Sequence, residues 1–101
     1  MNAKDNIAIP REEIGAFCRR HRICKLAFFG SVLREDFSPT SDVDVLVEFE
    51  PAHTPGLEFF AMETELGAIL GRKVDLHTRA SLSKYFREQA LAEAEVLYVA
   101  S

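Results

Sequence analysis

Asp42 and Asp44 stand two residues apart at the head of an apolar run, DVDVLVEF, where a buried strand should open. Side chains two apart on a strand share a face, so both carboxylates are expected to project together. Burying an unpaired carboxylate is costly, so the pair either faces water or carries a cation. Like charges that close repel, and a Mg²⁺ ion relieves the repulsion with the oxygen ligands it prefers. Asp75 lies in a second short run, KVDLHT, and joins the pair if that strand lies beside the first. Three carboxylates can hold two metal ions, one on a triphosphate and one activating an attacking hydroxyl. Taken alone, D-x-D reads better as two exposed acids at a strand mouth, and Asp75 as a strand-end acid in water.

Gly30-Ser31 closes the apolar run ICKLAFF. Glycine lets a phosphate approach the backbone closely. Exposed N–H groups and the dipole of a following helix favour an anion there, and Ser31 adds a hydroxyl. Alone, a Gly-Ser pair is an ordinary turn.

These residues need elements to position them. Pro10 suits a first helical turn. Ile14, Phe17, Cys18 and His21 recur at three- and four-residue steps, so residues 10–22 are expected to be helical. Residues 24–29 read as a buried strand. Residues 32–36 read as a short helix that Ser31 can cap, and 37–41 as a loop. Residues 42–50 form the second strand. Val43, Val45, Val47 and Phe49 share one face, and Asp42, Asp44, Leu46 and Glu48 the other. A turn-rich loop, 51–56, leads to a helix over 57–70, with Leu66, Ile69 and Leu70 facing the core and Gly71 as C-cap. A third strand follows over 73–78, a last helix over 83–94 and a final strand over 96–99. Interleaved helices and strands predict an α/β (α+β) fold, a small mixed sheet flanked by helices.

The chain has 101 residues, so one domain over 1–101 is expected. Its net charge of −4 argues against direct nucleic-acid binding, although Arg11, Arg19, Arg20, Arg22 and Lys25 concentrate positive charge near the start. No apolar run is long enough to span a membrane, and the N-terminal residues lack the apolar core of a signal peptide. Two cysteines, Cys18 and Cys24, suit a reducing cytoplasm. They flank His21, but a structural zinc site needs four ligands. Cys18 reads better as a small apolar residue on the buried side of its helix.

Gly30-Ser31, ten intervening residues, Asp42-x-Asp44 and a third Asp on a later strand together resemble the nucleotidyltransferase superfamily that includes DNA polymerase β. More closely, the chain resembles the minimal nucleotidyltransferases that serve as antitoxins to HEPN-domain toxins. The resemblance runs from about Ile23 to Val99, including Val74-Asp75-Leu76, Leu82-Ser83 and Tyr85. It implies the nucleotidyltransferase fold, with Gly30, Ser31 and Arg34 at the ATP phosphates. It implies that Asp42 and Asp44 bind Mg²⁺, and that Asp75 completes the metal site and assists deprotonation of the acceptor. The implied reaction moves AMP from ATP to a hydroxyl of the HEPN toxin, a tyrosine in the family, and silences it.

Two positions depart from the family pattern. Val32 stands where many relatives carry arginine, and Glu35 where they carry glycine. Arg34 remains to offset phosphate charge. These departures favour a rival reading, a weak or inactive module that neutralises its toxin by contact alone. A further reading keeps the enzyme but changes the acceptor to a small molecule or an RNA 3′ end. His77 is expected to be a bystander at its strand end, and Tyr85 to pack or line the pocket. Leu57, Phe59 and Phe60 are too many apolar residues for one narrow stripe. Some are expected at the surface, where apolar patches mark interfaces.

Overall fold

The computed structural model describes residues 6–38 and 40–100; the side chain of Tyr85 lies outside that description. The elements run α1 (Arg11–Arg20), β1 (Ile23–Phe29), a 3-10 turn (Gly30–Leu33), β2 (Val43–Phe49), α2 (Glu58–Leu70), β3 (Val74–Thr78), α3 (Lys84–Glu93) and β4 (Glu95–Val99). The strands form one mixed sheet in the order β3-β2-β1-β4. β1 is antiparallel to β2 and β4, whereas β2 and β3 are parallel. This is the fold class expected from the sequence.

Alternation along the strands sorts the side chains into two cores. Leu26, Phe28, Val43, Val45 and Val47 bury one face against Ile14, Phe17 and Cys18 of α1 and Met62, Leu66 and Leu70 of α2. Phe29 and Leu46 point to the other face, where Leu82 and Ala90 cover them. The sheet is thus sandwiched between α1 and α2 on one side and α3 on the other. Phe17 and Phe28 are completely buried, and truncating either to alanine is expected to cost about 3–5 kcal/mol.

α1 carries Glu12 and Glu13 in its first turn and Arg19 and Arg20 in its last, matching the helix dipole. It ends two residues earlier than its apolar stripe suggests. Arg22 adopts a positive φ of 58° and turns the chain into β1. The Cys18–His21–Cys24 spacing gathers no common site. Cys18 is buried in the larger core, and burial pushes its thiol up to about 12. His21 Nε2 instead lies 3.0 Å from Glu65 Oε1, and Arg20 also pairs with Glu65, clasping α1 to α2. α2 ends at Gly71, whose φ of +67° makes the left-handed C-cap expected of it.

β3 lies at an edge of the sheet. The Leu76 N–H donates to Glu63 Oε2 on α2 at 2.8 Å, so one edge donor is satisfied from the helix layer. This fixes the strand that carries Asp75.

Candidate active site

The site builds up from strand register. Phe29, the last residue of β1, pairs with Asp44 on β2, and Asp44 pairs in turn with Asp75 on β3. Asp44 and Asp75 therefore sit side by side on parallel strands. Both point to the α3 face, opposite Val43, Val45, Val74 and Leu76 of the larger core.

His77 lies two residues past Asp75 and shares its face. Its Nε2 stands 3.2 Å from Asp75 Oδ2 and 3.7 Å from Asp44 Oδ1. One ligand atom from each of Asp44, Asp75 and His77 falls within 4.8 Å of the others. The His77 ring meets the buried Phe29 ring edge-on, with centroids 5.4 Å apart. Burial raises the Asp44 pKa above its ordinary value; the nearby His77 opposes the rise, and the charges of Asp75 and Asp42 add to it. A partly buried carboxylate crowded by two others favours a cation.

The turn after β1 wraps over this pair. Gly30 has a φ of +75°, a conformation open to glycine. The Arg34 N–H closes the turn on the Ser31 carbonyl at 2.9 Å. The expected helix over 32–36 is instead the 3-10 turn over Gly30–Leu33. Ser31 lies inside that turn, so its hydroxyl does not cap a helix but donates to the Asp42 carbonyl at 3.3 Å. Arg34 is exposed and, with Gly30, Leu33 and Glu93, lines an open cavity of about 350 Å³.

Two side chains far off in sequence hold these loops. Asn6 Nδ2 donates to the carbonyls of Val32 and Arg34 at 2.6 and 2.9 Å. The Arg72 guanidinium donates to the carbonyls of Ser38 and Ser41 at 2.7 and 3.1 Å and lies 4.6 Å from the Phe37 ring centroid. Ser38 and Ser41 also bond each other through their hydroxyls at 3.0 Å. The loop feeding Asp42 is therefore tied at both ends.

The structure brings Asp44, Asp75 and Gly30 together, with Ser31 touching the backbone of Asp42. Asp42 precedes β2, which starts at Val43, so strand alternation does not dictate where its side chain points. It stands outside the tight Asp44–Asp75–His77 group, although near enough to act on Asp44. His77 is no bystander, and its i, i+2 spacing from Asp75 was the signal for it. Asn6, Arg72 and Glu93 carry no such local signal.

A family model described as nucleotidyltransferase domain matches residues 11–97. The chain belongs to the nucleotidyltransferase domain family. A protein adenylyltransferase, MntA of Thermococcus cleftensis, is 38% identical over 80 residues, which cover 79% of this chain and 78% of that protein. Among solved structures, a toxin–antitoxin complex with AMP-PNP aligns with a TM-score of 0.74 at 19% identity, covering 92% of this chain and 76% of that one. A complex of a tri-AMPylated Shewanella oneidensis HEPN toxin with MNT antitoxin aligns at 0.66 and 19% identity, over 97% of this chain and 73% of that one. At that identity the structural likeness establishes the fold. None of the described helices of this nucleotidyltransferase-family chain is long and apolar enough to cross a membrane.

Proposed function

We propose that this chain is a Mg²⁺-dependent protein adenylyltransferase that transfers AMP from ATP to a hydroxyl, a tyrosine, of a HEPN toxin and thereby acts as its antitoxin. The observation that carries this reading is the side-by-side register of Asp44 and Asp75 beneath the Gly30 turn. The names of its relatives support the protein acceptor, and the AMP-PNP and HEPN complexes among its structural neighbours support ATP and the partner.

The donor set fits a divalent cation: carboxylates crowd one another, and burial already penalises the charge on Asp44. In this reading residues 1–101 act as one minimal catalytic domain, and Asp42, Asp44 and Asp75 hold Mg²⁺. When bound, the ion neutralises charge on the triphosphate and acidifies the acceptor hydroxyl. Gly30 leaves the backbone open to the phosphates, Ser31 offers its hydroxyl, and Arg34 offsets charge from the rim of the cavity. Asp75, half-exposed beside Asp44, takes the proton as the acceptor oxygen bonds to the α-phosphorus and the bond to pyrophosphate breaks. ATP and two free cysteines, Cys18 and Cys24, support a cytoplasmic setting.

A contact-only antitoxin is the second reading. Leu57 and Phe60 favour it, being 85% and 68% exposed at the start of α2. Intact mass of the co-expressed HEPN partner separates the two. A gain of AMP with the wild type and none with Asp44→Asn supports transfer. A stable complex with no gain in either case replaces the enzyme with the contact-only module.

A further inference from the structure

We infer that His77 adds a nitrogen donor to the metal centre and tunes it toward first-row transition cations such as Mn²⁺ over Mg²⁺. The inference rests on the reading of Asp44 and Asp75 as metal ligands, and it extends that reading to a residue outside the carboxylate set.

Three observations converge on His77. Its Nε2 sits between the two carboxylates, 3.2 Å from Asp75 and 3.7 Å from Asp44. Strand register puts it there: Asp75 and His77 share a face of β3, and Leu46, the register partner of His77, lies two residues past Asp44 on β2. The ring is also held, packed edge-on against Phe29, which is buried in the core under α3. A ring fixed in this way offers its nitrogen at little conformational cost, because the orientation is set before the ion arrives.

The donor type then decides which ion gains. Mg²⁺ takes oxygen ligands almost exclusively and keeps several waters. Carboxylate and water suit Mg²⁺ and Mn²⁺ alike, but Mn²⁺, the weakest-binding of the first-row transition ions at nitrogen sites, still accepts an imidazole more readily than the hard Mg²⁺ ion does. Beside the carboxylates, His77 therefore adds nothing with Mg²⁺ and adds a ligand with Mn²⁺. Half-exposed Asp75 already faces His77, and one ligand atom from each of Asp44, Asp75 and His77 lies within 4.8 Å of the others.

The test uses the full chain without nucleotide, with Mn²⁺ alone and Mg²⁺ alone as probes. Titration calorimetry is expected to give Mn²⁺ an affinity on the order of tenfold above Mg²⁺, a preference that His77→Val removes by weakening Mn²⁺ and not Mg²⁺. Pulsed electron paramagnetic resonance of the Mn²⁺ complex should show modulation from a directly bound nitrogen. His77→Gln, which keeps a polar group of similar reach, should lose that modulation while still binding Mg²⁺, and circular dichroism confirms folding of both variants. Equal Mn²⁺ affinity in wild type and variants with no nitrogen modulation overturns the inference, and makes His77 a counter-ion that the metal displaces. The function reading fails separately: nitrogen-ligated Mn²⁺ without AMP transfer to the partner removes the enzyme and leaves the site.

Discussion

A methyl group added to Gly30 would stand 2.5 Å from Asp44 Oδ2, well inside van der Waals contact. The turn after β1 and the Asp44 carboxylate are therefore packed against each other. Any side chain at position 30 pushes on Asp44, and the φ of +75° strains it as well. Gly30→Ala is expected to destabilise the fold by about 1–3 kcal/mol. It should weaken divalent-cation binding more than an exposed alanine substitution of equal stability cost. Urea unfolding and cation titration on the same variant check both halves, and an unchanged cation affinity would detach the turn from the metal centre.

Arg72 ties the loop that delivers Asp42. Its two donations to the Ser38 and Ser41 carbonyls come from a charged donor, and such bonds contribute about 1.5–3 kcal/mol where buried. The site is only partly buried, so Arg72→Ala should cost roughly 1–2 kcal/mol. Its sharper effect is expected on the rate: kcat should drop while KM for ATP moves little, because Asp42 loses its anchor and the Gly30 turn does not. Arg72→Lys, with a single point charge in place of a fork, should restore part of the rate. Hydrogen exchange at the Ser41 amide, bonded to the Ser38 carbonyl at 3.0 Å, should speed up in the alanine variant. Unaltered exchange there would show that the loop holds without Arg72.

Much of this was legible in the sequence because short-range periodicity writes it. The apolar alternation of Val43, Val45 and Val47 set the face of Asp44, and the helical spacing of Leu66 and Leu70 built the layer behind it. Motif spacing carried Gly30, Asp44 and Asp75 into one neighbourhood, although the parallel pairing of β2 with β3 could not be read from spacing. Asp42 was harder, since a strand starting one residue later releases it from the alternation rule. The 3-10 turn over Gly30–Leu33 also escaped, because its bonds serve Asn6 and Asp42 rather than a continuing helix. Arg72 and Asn6 act across more than 25 residues, and nothing local marks a residue that works on a distant carbonyl.

Asn6 should behave as the complement of Arg72. It grips the Val32 and Arg34 carbonyls, the far side of the Gly30 turn. Replacing it with alanine removes two neutral hydrogen bonds, each contributing about 0.5–1.5 kcal/mol. The expected signature is a raised KM for ATP with kcat nearly held, the reverse of the Arg72 variant. Steady-state kinetics on the two variants side by side decides the matter. A shared loss of kcat would mean that both loops move as one body.

Burial makes the charged form of Asp44 costly in the folded protein. Burial raises its pKa in the folded state above the ordinary value of 3.8, so the folded protein binds a proton more tightly than the unfolded chain does. By linkage, its favourable contribution is complete below that ordinary value and is lost as pH rises through the raised folded value. Above that window the charged carboxylate is a standing cost. Asp44→Asn removes it, so the metal-free variant should melt above the wild type at neutral pH, and the gap should close as pH falls below the ordinary carboxylate range. Adding Mn²⁺ or Mg²⁺ should reverse the order, because the ion stabilises the wild type through binding to the folded state and finds no charged partner at position 44 in the variant. Thermal melts of both proteins at neutral and acidic pH, each with and without the ion, test this ordering. A metal-free Asp44→Asn protein that melts below the wild type at neutral pH would mean that contacts of the charged carboxylate outweigh its desolvation, and that the site is not strained toward a cation.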